Sequence, residues 1–381
     1  PSGAESAGST AANGGAMPAD LFPSRTLARY LAKMFISRTL AMLLMLVLVL
    51  QVLDLLSESG KILAHPGNGQ AQIWRYVTLR APQLAAFFLP YSVLLGTLGT
   101  FWPLNQNSEV IAMRAAGLSA HQILAPLLAT AGVISLGSLA FNELVVTHSA
   151  ATLKAWQDAS FGQIPKGSAI RSNVYLADGP NVLFAQTVTG RGAAMRMEGV
   201  TWYGRDTQGT VVRQLRSASA SYAAPGWKLE APRGFDVAAT RATPAAPQIV
   251  ARGISPAEVA INTVNADSED IVQLHRSINE VRAAGRHTAD LEGKWWHKLS
   301  GPFSCLLMPL LGAVAGFGLA RSGQLFIRLV IGMALGFTYF VVDNAALALG
   351  NFGAYPPLLA AWAPFLLFAA VGELVLVKTE E

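Results

Sequence analysis

The chain has 381 residues, of which 52% are hydrophobic and only 13% are charged, and its formal net charge is +5. This composition leaves two classes open, a large globular protein or a membrane protein. The spacing of the charged residues along the chain favours a membrane protein. Several stretches without Asp, Glu, Lys or Arg approach or exceed the roughly 20 residues that a helix needs to cross the hydrocarbon of a bilayer.

Six apolar segments are predicted to span the membrane, three before and three after a charged central region. A turn rich in glycine and proline, at 350–357, separates the last two spans. The predicted spans are 34–56, 81–107, 115–142, 299–320 and, for the last pair together, 329–372. The sequence therefore predicts a helical polytopic membrane protein with six transmembrane helices in a 3+3 arrangement, grouped in residues 25–144 and 295–381. Residues 1–24 are predicted to be a disordered tail.

The orientation follows from the lysines and arginines of the short loops, which favour the cytoplasmic side. The bias places both termini in the cytoplasm and the central region on the far side of the membrane. The cations assigned to the cytoplasm are Arg25, Arg29, Lys33, Arg38, Arg114, Arg321, Arg328 and Lys378, and those assigned to the far side are Lys61, Arg75 and Arg80.

Residues 105–119, between the second and third spans, are predicted to form a short cytoplasmic helix. Ser108 is expected to cap its start, Glu109 suits its first turn, and Gly117 suits the left-handed residue after its end. Two interpretations stay open: a helix that docks into a groove of a soluble motor protein, or an interfacial helix that rests on lipid. The expected surface consists of Val110, Ile111 and Met113, with Glu109 and Arg114 beside them.

The central region, 145–294, shows short apolar runs separated by turn residues, which predicts an all-β domain of the sandwich or open-roll type. Residues 268–285 then predict a helix whose apolar face leads towards Trp295 and Trp296 at the membrane interface. The predicted strands lie at 174–177, 182–185, 199–203, 211–212, 227–229 and 235–237, and the apolar face of the helix consists of Ile271, Leu274, Ile278 and Val281.

Two features inside the predicted spans concern packing and polarity. Asp54 and Asp343 lie near the outer ends of their helices and suggest a polar cavity; because no His or Lys is expected at their depth, a proton relay is not favoured.

Small residues spaced four apart allow close helix packing, with a movable helix–helix contact as the functional alternative. These pairs are Gly312 with Gly316 and Gly332 with Gly336.

Motifs of catalysis are missing from the sequence. It contains no phosphate-binding loop, no His or Cys cluster with metal spacing and no nucleophile elbow, and its single cysteine, Cys305, cannot form an internal disulfide. We therefore expect a non-catalytic chain without a cofactor of its own.

The local sequence resembles the LptF/LptG family of lipopolysaccharide-export permeases from about Leu27 to Lys378. Within that family, residues 343–364 are more similar to the LptG branch than to the LptF branch. The segments that carry the resemblance are SEVIAMRAAG at 108–117, residues 218–229 around Tyr222 and Trp227, residues 295–309, GFTYFVVD at 336–343, and the Tyr355-Pro356-Pro357 turn.

The resemblance implies a transport subunit in the inner membrane of a Gram-negative cell. The chain would pair with an LptF-type permease above an LptB-type ATPase dimer, which would bind ATP and Mg²⁺. It would pass lipopolysaccharide to LptC- and LptA-type bridge proteins in the periplasm, and no nucleic acid would be involved. The outer domain would be a β-jellyroll, the first and fifth spans would form a lateral gate, and the loop helix would sit in the ATPase groove.

Site residues follow by position from this resemblance. One departure from the family is that Gln51, Asp54, Ser57 and Glu58 stand where family members often carry lysines that meet lipid A phosphates.

The ATPase-coupling residues implied by the resemblance are Glu109, Val110, Met113 and Arg114. The lipid-cavity or gate residues would be Leu50, Leu53, Phe326, Leu329, Met333 and Phe337, and the headgroup candidates would be Lys61 and Arg75.

Three other functions remain to be separated from this one. The chain could be the paralogous LptF-type subunit, or a mechanotransmission subunit that moves an outer domain without moving lipid. A proton-driven carrier would show inverted repeats with broken helices at midplane, which the sequence does not display.

Overall fold

A computed structural model describes residues 24–162, 171–190, 194–206, 208–237, 240–261, 265–283, 287–317 and 325–380. The predicted N-terminal tail lies outside the described residues except for Ser24. The hydroxyl of Ser24 caps the first helix by accepting a hydrogen bond from the amide of Leu27.

Ten α-helices occur in the described residues. A π-helical turn at Asn142–Val146 joins the fourth and fifth of them into one continuous rod. The helices are α1 (Arg25–Ala64), α2 (Gln70–Gln106), α3 (Glu109–Ala115), α4 (Ala120–Phe141), α5 (Thr147–Asp158), α6 (Pro256–Ile261), α7 (Ile271–Ala283), α8 (Ala289–Gly316), α9 (Leu325–Asn351) and α10 (Pro357–Glu380).

Five of the helical segments that the structure describes are long and apolar enough to cross a membrane: α1, α2, the rod formed by α4 and α5, residues Leu329–Asn351 of α9, and residues Pro357–Lys378 of α10. The predicted fourth span falls in the apolar half of α8, which approaches the end of a described range at 317. The helical membrane architecture is confirmed, and the count of six spans stays a prediction.

Helix α8 lies at the centre of the bundle, where it packs against α2, α4, α9 and α10. Its buried side chains, including Cys305, Met308 and Leu311, join one continuous apolar core with residues from α1, α2 and α4. A glycine lets α8 approach α2 closely, because a Cβ at Gly312 would lie only 2.7 Å from Cγ2 of Thr97 in α2. A Cβ at Gly336 of α9 would collide with Leu94 of the same helix α2. Close packing at Gly312 and Gly336 is thereby confirmed.

The helices α1, α2 and α5 extend together beyond the apolar bundle. Ile62, Tyr76, Leu153, Trp156 and Phe161 form a separate buried cluster between them. The third predicted span therefore continues as a helix to Asp158, past the predicted start of the β-domain at 145, and the first described strand begins at Arg171. This extension was not predicted, because its apolar residues are few and become buried only through contacts between distant parts of the chain.

The inserted domain is an antiparallel sheet that is eight-stranded over the described residues, with the path β1-β2-β3-β4-β5-β8. The long strand β4 pairs with β5 over one part of its length and with β6 over another, so the sheet branches and curls. The strands are β1 (Arg171–Asp178), β2 (Asn181–Thr189), β3 (Arg196–Arg205), β4 (Val211–Ala223), β5 (Gly226–Glu230), β6 (Arg233–Asp236), β7 (Arg241–Pro244) and β8 (Ile249–Val250).

The sheet encloses its own core, with Trp227 fully buried and its indole N–H donating to the carbonyl of Ile254 at 3.0 Å. All the predicted strands are present, whereas β7 and β8 and the short helix α6 were not predicted. Helix α7 buries Leu274, Ile278 and Val281, as predicted. Trp295 at the start of α8 donates to the carbonyl of Ile271 at 3.0 Å and so joins α7 to the membrane bundle.

Candidate functional site

Helix α3 forms between α2 and α4, as predicted, but its start is built differently. Ser108 has φ of 57° and its side chain makes no capping hydrogen bond, so the expected Ser108 cap is wrong. The left-handed backbone turns the chain sharply there, and the carbonyl of Ser108 accepts from the amide of Ala112 at 2.9 Å. At the other end Gly117 has φ of +86°, which confirms the predicted left-handed residue.

The two faces of α3 have different environments. Val110 and Met113, three residues apart, point into the chain's own core, where 4% and 9% of their surfaces remain exposed. Ile111 points outward and is 53% exposed. Of the apolar residues expected at the contact surface, Val110 and Met113 therefore serve to hold α3 against the bundle, and Ile111 remains accessible.

Glu109 and Arg114 lie at the partly exposed edges of α3. One carboxylate oxygen of Glu109 accepts a hydrogen bond from the hydroxyl of Tyr30 in α1 at 3.2 Å. Arg38, two turns farther along α1, donates to the carbonyl of Gly99 in α2. Helix α3 thus sits on the ends of α1 and α2 and is fixed to the helical bundle.

The predicted gate residues lie mostly on outward faces of α1 and α9. Leu53 is 58% exposed, and Phe326, Met333 and Phe337 are also exposed. Leu329 is only partly buried and packs on the bundle core. Helix α2 packs against both α1 and α9 within this chain.

The predicted headgroup cations both contact other side chains of the chain. Lys61 forms an ion pair with Glu58 at 2.7 Å, one turn earlier in α1, while 66% of its side chain remains exposed. The Arg75 guanidinium lies 4.8 Å from the ring centroid of Trp156 in α5.

Asp54 and Asp343 each have neighbours that the sequence did not predict. Asp54 of α1 accepts hydrogen bonds from the Tyr76 hydroxyl at 2.6 Å and from Arg80 Nε at 3.2 Å, both in α2. Asp343 of α9 lies with its Oδ2 3.9 Å from Nδ1 of His297 in α8. The expectation that no histidine shares the depth of Asp343 is therefore wrong. The two residues are distant in sequence, and only the packing of α8 on α9 brings them together.

The pair lines a cavity of about 710 Å³ among α2, α5, α8 and α9, into which Leu50 of α1 also projects. Within the described parts of the chain, no three His, Cys, Asp or Glu side chains lie together as metal ligands would. The lining of the cavity includes charged and hydrogen-bonding side chains as well as aromatic side chains.

Long apolar helices, an inserted antiparallel sheet and a short helix fixed across the end of the bundle define a polytopic membrane protein with an inserted β-domain. The chain belongs to the lipopolysaccharide export system permease family LptF/LptG, whose family model matches residues 29–378. It is therefore a multi-pass inner-membrane permease of lipopolysaccharide export.

Two relatives cover almost the whole chain. The lipopolysaccharide export system permease protein LptG of Escherichia coli (strain K12) is 23% identical over 368 residues, which are 93% of this chain and 99% of that protein. The LptG protein of Haemophilus influenzae is 24% identical over 352 residues, which are 90% of this chain and 96% of that protein.

Proposed function

We propose that the chain is the LptG-type subunit of an ATP-driven exporter that extracts lipopolysaccharide from the inner membrane. Its partners would be an LptF-type permease, an LptB-type ATPase dimer and the bridge proteins of the LptC and LptA types. Support for the LptG branch comes from the relatives named LptG and from residues 343–364. ATP hydrolysis belongs to the partner, and this chain contributes no catalysis.

The observation that carries this proposal is the asymmetric burial of α3. A helix that transmits force must be fixed to its own protein on one side and accessible to a partner on the other. Val110 and Met113 supply the fixed side, while Glu109, Ile111 and Arg114 supply the accessible side. An anionic carboxylate beside an exposed isoleucine suits a groove with an apolar floor and a basic rim.

The gate in this proposal requires a second permease. Leu53 of α1 and Phe337 of α9 are exposed and apolar, so a second permease is needed to enclose acyl chains that would lie against them. Face-to-face pairing with an LptF-type chain would bring Leu53, Met333 and Phe337 opposite the partner's helices, where acyl chains could lie. Lys61 and Arg75 remain the proposed headgroup contacts, although each also contacts a side chain of its own protein.

The test is co-purification of a tagged full-length chain with the ATPase from cells that express the partner proteins. Glu109→Arg is expected to lose the ATPase, because a like charge would oppose the basic rim of the groove. Glu373→Arg is the matched control, because Glu373 also lies at an end of the bundle and pairs with His121 at 2.8 Å. Loss of the ATPase by both variants, or by neither, contradicts the assigned role of Glu109.

The same co-purification distinguishes an exporter from a mechanotransmission subunit. Co-eluting lipopolysaccharide supports an exporter, whereas an ATPase-bound complex that never carries lipopolysaccharide favours a mechanotransmission subunit. Co-expression with tagged LptF-type and LptG-type chains tests whether this chain is of the LptG type, because an LptG-type subunit is expected to pair with the LptF-type partner.

A further inference from the structure

The cavity among α2, α5, α8 and α9 carries both signs of charge. Arg80, Lys294 and Lys298 line it together with Asp267 and Asp343. A purely anionic ligand would meet the carboxylates, and a purely cationic ligand would meet the lysines and the arginine. The lining therefore suits a ligand that carries a cation and an anion at separate positions.

The carboxylate of Asp343 is the least satisfied group of this lining. The residue is 5% exposed, and its Oδ1 has no hydrogen-bond partner among the described residues. Its Oδ2 lies 3.9 Å from His297, which is longer than a hydrogen bond. The amide of the adjacent Asn344 donates instead to the carbonyl of Phe340. Because a buried carboxylate without donors is costly, a ligand that brings N–H groups would satisfy it.

The cations retain donors for an anionic group. Arg80 donates through Nε, Nη1 and Nη2 to Asp54 and Gln83, which leaves part of its five-donor guanidinium unused. Lys298 donates to the carbonyl of Glu269 at 2.6 Å and lies 3.8 Å from Glu143, and an ammonium group carries three donors. Each of the two side chains therefore has a donor left for an anionic group.

Aromatic side chains line another wall of the cavity. Tyr91 of α2 and Phe340 of α9 stack with ring centroids 3.7 Å apart, and Phe88 packs beside Tyr91. Phe87 also lines the cavity and is 63% exposed, so the cavity reaches the surface of the bundle. Because α2 and α9 are apolar enough to cross a membrane, we expect that surface to face lipid.

We propose that this cavity binds the phosphoethanolamine headgroup of a membrane phospholipid. The primary ammonium donates to Asp343, and the phosphate accepts from Arg80 and Lys298. One acyl chain lies along Phe87 and leaves between α2 and α9. This phospholipid site lies within one chain, and its occupation does not depend on the ATPase or on lipopolysaccharide export.

The test measures which phospholipid the purified full-length chain retains from vesicles that contain equal amounts of phosphatidylethanolamine, phosphatidylcholine and phosphatidylglycerol. Native mass spectrometry identifies the bound lipid. Phosphatidylcholine keeps the positive charge but has no N–H donor, and phosphatidylglycerol has no ammonium. Because only phosphatidylethanolamine can donate charge-assisted hydrogen bonds to Asp343, wild type is expected to favour it at least about tenfold over either competitor.

Asp343→Asn is expected to bring this preference to within about twofold, because the loss of the negative charge removes the attraction for the ammonium. Glu373→Gln, which changes a histidine-paired carboxylate outside the cavity lining, is expected to keep the preference. Equal retention of the three lipids by wild type, or an unchanged preference in Asp343→Asn, would overturn the proposal. If Asp343→Asn does not fold, the wild-type comparison of the three headgroups decides alone.

Discussion

At the scale of single residues, Glu109 has two possible partners, one in its own chain and one in the proposed ATPase. The hydrogen bond from Tyr30 is 3.2 Å long and exposed to solvent, and such bonds contribute little to stability. If Glu109 acts mainly on the ATPase, removing the Tyr30 hydroxyl should matter far less than removing the carboxylate. The two roles can therefore be separated by substitution.

Tyr30→Phe is expected to keep the ATPase bound and to lower the free energy of unfolding by about 1 kcal/mol or less. Glu109→Ala, which leaves the core contacts of Val110 and Met113 in place, is expected to lose the ATPase without unfolding. Co-purification and thermal unfolding in detergent measure the two effects. Release of the ATPase by Tyr30→Phe would show instead that the contact between α1 and α3 sets the position of the coupling helix.

At the scale of secondary-structure elements, the bundle depends on glycines that admit the neighbouring helix. Gly312 faces Thr97 across the contact between α8 and α2, whereas Gly137 in α4 has nothing within 4 Å of its Cβ position. Gly312→Val is expected to force these helices apart and to cost about 1–3 kcal/mol. Gly137→Val places the same β-branched side chain in an open position and is expected to leave the temperature of aggregation in detergent nearly unchanged. A similar loss in both variants would mean that the valine disturbs the helix itself and not the contact.

The predicted elements that agree with the structure have strong local signals. Long charge-free runs predict α1, α2 and α4, and short apolar runs ending at turn residues predict strands such as β1 and β2. Elements without such signals were missed: β8 has only two residues, and α5 is a helix of mixed polarity stabilised by Trp156 against distant partners. The start of α3 was misread because Ser108 adopts a left-handed conformation there, although a serine in that place usually caps.

For the candidate site as well, the local sequence predicts where an element lies in the chain but not which side chains of other elements it contacts. The position of α3 followed from its local pattern, but which of its side chains face inward depends on the packing of α1, α2 and α4 beneath it. The contact between His297 and Asp343 depends on how α8 lies against α9. No spacing within either helix predicts that contact.

At the scale of the whole molecule, the asymmetric placement of lysine and arginine predicts that α3 and the sheet lie on opposite sides of the membrane. Labelling of introduced cysteines can test this directly, since the native Cys305 is fully buried and should react slowly. Gln208 and Ala116 both have exposed side chains, the first in the β3–β4 turn and the second just after α3.

With a maleimide that cannot cross the inner membrane, Gln208→Cys is expected to react in intact spheroplasts. Ala116→Cys is expected to react only after the membrane is permeabilised, and the unsubstituted chain reports the background from Cys305. The reverse pattern would place α3 outside the cell and would exclude its contact with a cytoplasmic ATPase, even though the helical fold would be unaffected. Labelling of both positions in intact spheroplasts would contradict the number of membrane crossings between α3 and the sheet.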